Sequence, residues 1–126
     1  MPTLLILDDS NVVRQVIRIY LAGVASEFLE AGDAERGLQL CRLMPVDLVI
    51  ADIKMPGKSG IDFVRAVRAD PNARLKALPI VLLTGESSDE LRVQGLAAGA
   101  NAFVKKPVLG PALRDAVAKL LKPPEP

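Results

Sequence analysis

Four short stretches carry polar groups that can work together: "LDDS" (7–10), "DIKMPGKSG" (52–60), "LLTG" (82–85) and "GANAFVKKP" (99–107). They supply three carboxylates (Asp8, Asp9 and Asp52), one hydroxyl (Thr84) and one ammonium (Lys106). Three carboxylates in one crevice repel, since two unit charges about 4 Å apart interact by ~4 kcal/mol at an effective dielectric of about 20. A hard divalent cation held by oxygen atoms offsets that. Mg²⁺, or Mn²⁺ in its place, suits one or two carboxylates, water and a phosphate oxygen. A carboxylate is also a competent nucleophile toward phosphoryl groups and gives an aspartyl phosphate. Such a transfer needs positive charge and donors around the equatorial oxygens. A metal on one side, with Lys106 and Thr84 on the other, meets that need.

The composition narrows the alternatives. The chain has no histidine, which removes Ser-His-Asp and Cys-His catalysis and any His-ligated zinc. It also means the protein has no phosphohistidine of its own. The single cysteine, Cys41, cannot form an internal disulfide and lies in a helical pattern, where it reads as core filler. A net charge of +1 gives no basic field, so direct nucleic-acid binding is not expected. Half of the residues are apolar, but no run approaches the ~20 residues of a bilayer span. "MPTLLILDD" has no basic segment before its short apolar stretch and is not a signal peptide. A soluble, cytoplasmic protein with no membrane partner is expected.

Positioning falls to five short apolar runs: 3–7, 26–32, 47–52, 78–85 and 102–106. Between and after them lie five segments of helical spacing: 10–23, 33–44, 60–70, 87–99 and 109–121. Ser10, Asp33 and Ser59 sit where N-caps belong, and Gly99 ends the fourth helix. Gly95 interrupts that helix at a cost of roughly 1 kcal/mol relative to Ala, and its apolar stripe (Leu91, Val93, Leu96) is thin. Continuous apolar strands separated by helices predict an α/β fold, with a doubly wound parallel sheet covered on both faces. Ligands of such sheets bind beyond the carboxyl ends of the strands, where the strand order reverses. With the order 2-1-3-4-5, Asp8, Asp9 and Asp52 converge there. One domain is predicted over 1–121, followed by a proline-rich tail over 122–126, "KPPEP".

The four stretches, each in order and each at the end of a predicted strand, resemble the receiver domain of two-component response regulators, the CheY-like family. The likeness runs from residue 3 to 121. It implies a flavodoxin-like fold of five strands and five helices, and a switch fed by a partner histidine kinase or histidine phosphotransfer protein. By this resemblance Asp52 is the phosphoacceptor. Asp8 and Asp9 form the metal-holding acid pair, Asp9 being the direct ligand, and the Lys54 backbone carbonyl completes the set. Thr84 is the switch hydroxyl, and Lys106, directly before Pro107, is the lysine of the site. Phe103 is the switch aromatic, and the Lys106–Pro107 bond is cis. The implied output face is the fourth helix, fifth strand and fifth helix, which a downstream protein reads. The family chemistry is self-catalysed, on the protein's own Asp52 only.

Some expectations rest on departures and on sequence neighbours. "GANAF" (99–103) lacks the acidic pair used by OmpR-type dimers, so that dimer is not expected. The sequence carries no winged-helix or helix-turn-helix pattern, and an output domain is not expected. A receiver excised from a longer regulator or hybrid kinase is an alternative. A small Mg²⁺-dependent phosphatase with an aspartate nucleophile is another, but Lys54 stands where such enzymes place a general acid. Val12, Val13 and Arg14, next to the acid pair, are expected to dock the kinase. Lys54 and Glu86, two residues past Asp52 and Thr84, are expected at the pocket mouth, where they set the phosphoryl lifetime.

Overall fold

The computed structural model describes residues 2–25, 27–85 and 89–121. Its elements are β1 (Thr3–Leu7), α1 (Asn11–Tyr20), β2 (Glu27–Ala31), α2 (Ala34–Leu43), β3 (Leu48–Asp52) and α3 (Gly60–Ala69). They continue as α4 (Ala73–Lys76), β4 (Ile80–Thr84), α5 (Asp89–Ala98), β5 (Ala102–Lys105) and α6 (Gly110–Leu121). The strands pair in parallel in the order β2-β1-β3-β4-β5, as the sequence predicts. The helix count differs, with six among the described residues instead of five. The extra one, α4, is a single turn of four residues, too short to show a hydrophobic period. Asn72 caps it by accepting from the Arg74 amide. The tail over 122–126 lies outside the described residues.

Successive strand side chains point to opposite faces, and both faces are dry. Leu5, Leu7, Val49, Ala51, Ile80 and Leu82 pack with Cys41, Phe63, Val64 and Val67 beneath α2 and α3. Leu4, Ile6, Ile50, Val81 and Leu83 pack with Ile17, Leu113 and Val117 beneath α1 and α6. Every residue of β3 is buried. Each large side chain so buried contributes ~1.5–3 kcal/mol, which makes the central strand a firm base for the acid at its end. The three caps read from the sequence form: Ser10 accepts from the Val13 amide, Asp33 from the Arg36 amide and Ser59 from the Asp62 amide. Ser59 and Asp62 close a full capping box. No described helix is long and apolar enough to cross a membrane.

Candidate functional site

The order reversal between β1 and β3 places the end of β1 beside the end of β3, with Leu7 opposite Ala51. The next residue in each chain direction is therefore an acid, Asp8 in one and Asp52 in the other. One carboxylate oxygen from each of Asp8, Asp9 and Asp52 lies within 4.8 Å of the others. Asp8 and Asp52 are buried and Asp9 is exposed.

Asp8 is held at every polar atom. Its amide donates to the Ala31 carbonyl at 3.1 Å, and its carbonyl accepts from Arg14. Its Oδ1 accepts from the Ser10 amide at 2.9 Å, and its Oδ2 faces Lys106 Nζ at 3.4 Å. Asp52 Oδ1 accepts from the Lys54 amide at 3.2 Å, and its Oδ2 takes Lys106 Nζ at 2.7 Å. The lysine reaches both because its backbone amide donates to the Thr84 carbonyl at 2.8 Å, just past the β4–β5 ladder. The Lys106–Pro107 bond is cis. Thr84 is half-buried at the end of β4, on the strand next to Asp52.

The charges follow from these contacts. Burial raises the Asp8 carboxyl above its ordinary value, the Ser10 amide opposes that, and the Asp52 charge adds to it. Burial pulls the Lys106 ammonium down, but its hydrogen bond to Asp52, together with the charges of Asp52 and Asp8, outweighs this and leaves it raised. One ammonium therefore sits between two buried carboxylates, with a third carboxylate at the surface. That surplus of negative oxygen, with Asp9 open to solvent, is a donor set that can hold a hard metal ion.

Several residues took on roles that the sequence did not reveal. Gly60 starts α3 directly against β3: its amide donates to the Ile53 carbonyl at 2.9 Å, and a Cβ there would collide with the Asp52 carbonyl. The glycine in "KSG" was the available signal. Gly95 is not merely a weak point of its helix. It is the contact through which α5 lies on the Phe103 ring, where a Cβ would come within 2.5 Å of the ring's Cζ. Of the residues expected to dock a kinase, Val12 stands 68% exposed and Val13 is half-buried. Arg14 instead turns its guanidinium inward, with 17% of the side chain exposed. Lys54 is exposed two residues past Asp52, whereas Glu86 lies outside the described residues. Cys41 is fully buried, and burial pushes its thiol up to about 12, only partly opposed by Arg74. It is inert filler, as its pattern implied.

A doubly wound sheet with an acid trio and a lysine at its carboxyl edge defines the class: a flavodoxin-like receiver. The chain matches the response regulator receiver domain model over residues 4–118. It is 33% identical over 120 residues to the chemotaxis protein CheY of Pseudomonas aeruginosa, covering 94% of this chain and 95% of that one. It is 34% identical over 122 residues to the transcriptional regulatory protein AfsQ1 of Streptomyces coelicolor, covering 97% of this chain but 52% of AfsQ1. Among solved structures, a response regulator of Chloroflexus aurantiacus superposes with a TM-score of 0.89 at 32% identity, covering 98% of this chain and all of that one. Chemotaxis regulator CheY4 of Vibrio cholerae superposes with a TM-score of 0.87 at 32% identity, covering 96% and 99%. The chain belongs to the response regulator receiver domain family, the signalling modules of two-component systems.

Proposed function

We propose that Asp52 is the phosphoacceptor of a histidine-to-aspartate relay and that residues 1–121 form the receiver unit. An Asp52 carboxylate oxygen attacks the phosphorus of a donor phosphohistidine. The phosphorus–nitrogen bond breaks, the imidazole leaves with the electron pair, and an acyl phosphate remains on Asp52. Water later cleaves it to return the carboxylate and inorganic phosphate. The observation that carries this reading is Lys106 Nζ, 2.7 Å from Asp52 Oδ2 and 3.4 Å from Asp8 Oδ2. An ammonium already seated on the acceptor is placed to neutralise the oxygens of an arriving phosphoryl group. Asp9, Asp52 and the Lys54 carbonyl, with Asp8 in support, would hold Mg²⁺ or Mn²⁺, which would supply the remaining charge neutralisation.

The Thr84 hydroxyl, on the strand next to Asp52, donates to a phosphoryl oxygen, and Phe103 follows it, so the face of α5, β5 and α6 changes for a downstream protein. A histidine kinase or phosphotransfer protein approaches over Val12 and Val13, at the start of α1. Lys54, with Glu86, sets how fast water reaches the acyl phosphate.

Incubation with a small phosphodonor and Mg²⁺ should give one acid-stable, base-labile phosphate at Asp52, found by peptide mapping. Asp52→Asn should abolish it with the far-ultraviolet circular dichroism unchanged. Undiminished labelling of that variant would overturn the assignment.

A further inference from the structure

Arg14 occupies the second turn of an amphipathic helix, where an arginine ordinarily extends into solvent. Here it folds back under the β1–α1 turn. Its Nε donates to Glu30 Oε1 at 3.0 Å and its Nη1 to the Asp8 carbonyl at 2.5 Å. Glu30 stands on β2, and its second oxygen takes Arg18 Nη1 at 2.8 Å. Arg18 in turn lies over the Phe28 ring at 5.6 Å. The guanidinium is therefore fixed by a half-buried carboxylate that is itself held from the far side.

The Asp8 carbonyl belongs to the peptide unit that joins Asp8 to Asp9. That unit is planar, so fixing its carbonyl direction fixes the start of Asp9 and the cone its side chain can sweep. The Asp8 side chain and amide are already occupied by Ser10, Lys106 and Ala31. The carbonyl is the remaining handle on the turn, and Arg14 holds it. Asp9 has no ion-pair partner among the described residues, so the turn that carries it sets its aim.

We infer that Arg14, braced by Glu30, is a positioning residue that orients the Asp8–Asp9 peptide and so presents the Asp9 carboxylate to the cation. This rests on the metal reading above. A planar fork can span the Glu30 carboxylate and a carbonyl at once, whereas a lysine is a point donor that serves one of them. Charge alone makes the opposite demand. Arg14 is a cation near the acid trio, so a purely electrostatic role has its removal tighten Mg²⁺ binding and its replacement by lysine change nothing.

The test is a Mg²⁺ titration of the unphosphorylated protein by calorimetry, for the wild type, Arg14→Lys and Arg14→Met, with melting temperatures in chelator-treated buffer. Loss of an outer-sphere partner typically weakens metal binding about 10- to 100-fold. Both variants should weaken Mg²⁺ binding by about tenfold, at the low end of that range. Arg14→Lys retains the charge and the stem, which keeps the test open if Arg14→Met folds poorly. Wild-type affinity in Arg14→Lys, or tighter binding in Arg14→Met, overturns the positioning role. So does a lower melting temperature with unchanged affinity, which marks a structural contact only. A wild-type chain that takes up no Mg²⁺ overturns the metal reading itself, a result distinguishable from failure of the clamp.

Discussion

Helices α3 and α5 are both ten residues long and cover the same face of the sheet, yet they are held in different ways. Helix α3 buries Gly60, Ile61, Phe63, Val64 and Val67 and starts with a closed capping box. Its first residue rests on the backbone of Asp52. In α5 Gly95 is the one buried residue, while Val93 and Leu96 are 64% and 51% exposed. Helix α5 touches the sheet through Gly95 on Phe103 and Leu82, with Leu91 and Ala98 packed on the same core, and Arg92 lies over the Phe103 ring at 5.9 Å. Its C-terminal end is fastened from α3. Arg68 donates to the Gly99 carbonyl through Nε at 3.1 Å and Nη2 at 2.8 Å, and to Asn101 Oδ1 at 3.0 Å. The helix that supports the acceptor is thus anchored along its length. The helix beside Phe103 is fastened at its C-terminal end and buries a single residue, with Leu91 and Ala98 only half-buried, and few buried contacts mark the low-stability end of a structure.

The contrast can be tested from both sides. Phe63→Ala empties a site that is 1% exposed and should cost ~3–5 kcal/mol in urea unfolding. A loss under ~1 kcal/mol would mean that α3 is not the anchor. Arg68→Ala removes a guanidinium that also serves the Leu75 and Lys76 carbonyls at 3.1 Å each. It should cost ~1–3 kcal/mol, and hydrogen exchange should quicken at the C-terminal end of α5 before it quickens in α3. Equal loss of protection in both helices would show that α5 has no separate hinge. Gly95→Ala sets a methyl against the Phe103 ring. Overpacking of ~1–3 kcal/mol is offset by ~1 kcal/mol of helix propensity, which leaves a net loss of at most ~2 kcal/mol. Its signature is a displaced Phe103 ring, read from aromatic NMR shifts; unmoved shifts would refute the contact. Leu96→Ala should fall within ~0.5 kcal/mol, and a loss as large as that of Phe63→Ala would erase the contrast.

Most of the scaffold was legible because its signals are local. Apolar runs ending in acids, Thr-Gly or Lys-Lys-Pro give the strands and what stands at their ends. Ser10, Asp33 and Ser59 announce the helices they cap. The acid trio and Lys106 were legible because the carboxyl edge of a doubly wound sheet gathers whatever ends its strands. What stayed hidden depends on contact between distant segments. Gly95 carries the same symbol whether it loosens a helix or fits over Phe103. Arg14 at the start of a helix reads as a surface group, and only the β2 register, which sets Glu30 opposite Ile6, turns it inward. Helix α4 escaped because one turn has no period to detect.

Lys106 lies 98 residues along the chain from Asp8 and 54 from Asp52. During synthesis the acceptor is made first, and at roughly 5–20 residues per second the lysine follows about 3–11 s later. Throughout that interval Asp8 and Asp52 have no ammonium between them, and their repulsion works against early closure of β1 on β3. The lysine sits beyond the last strand, so it reaches the two carboxylates only when β5 has docked. An incomplete chain that lacks β5 therefore carries the acid trio without this ammonium, and the site is complete only after β4 and β5 have paired.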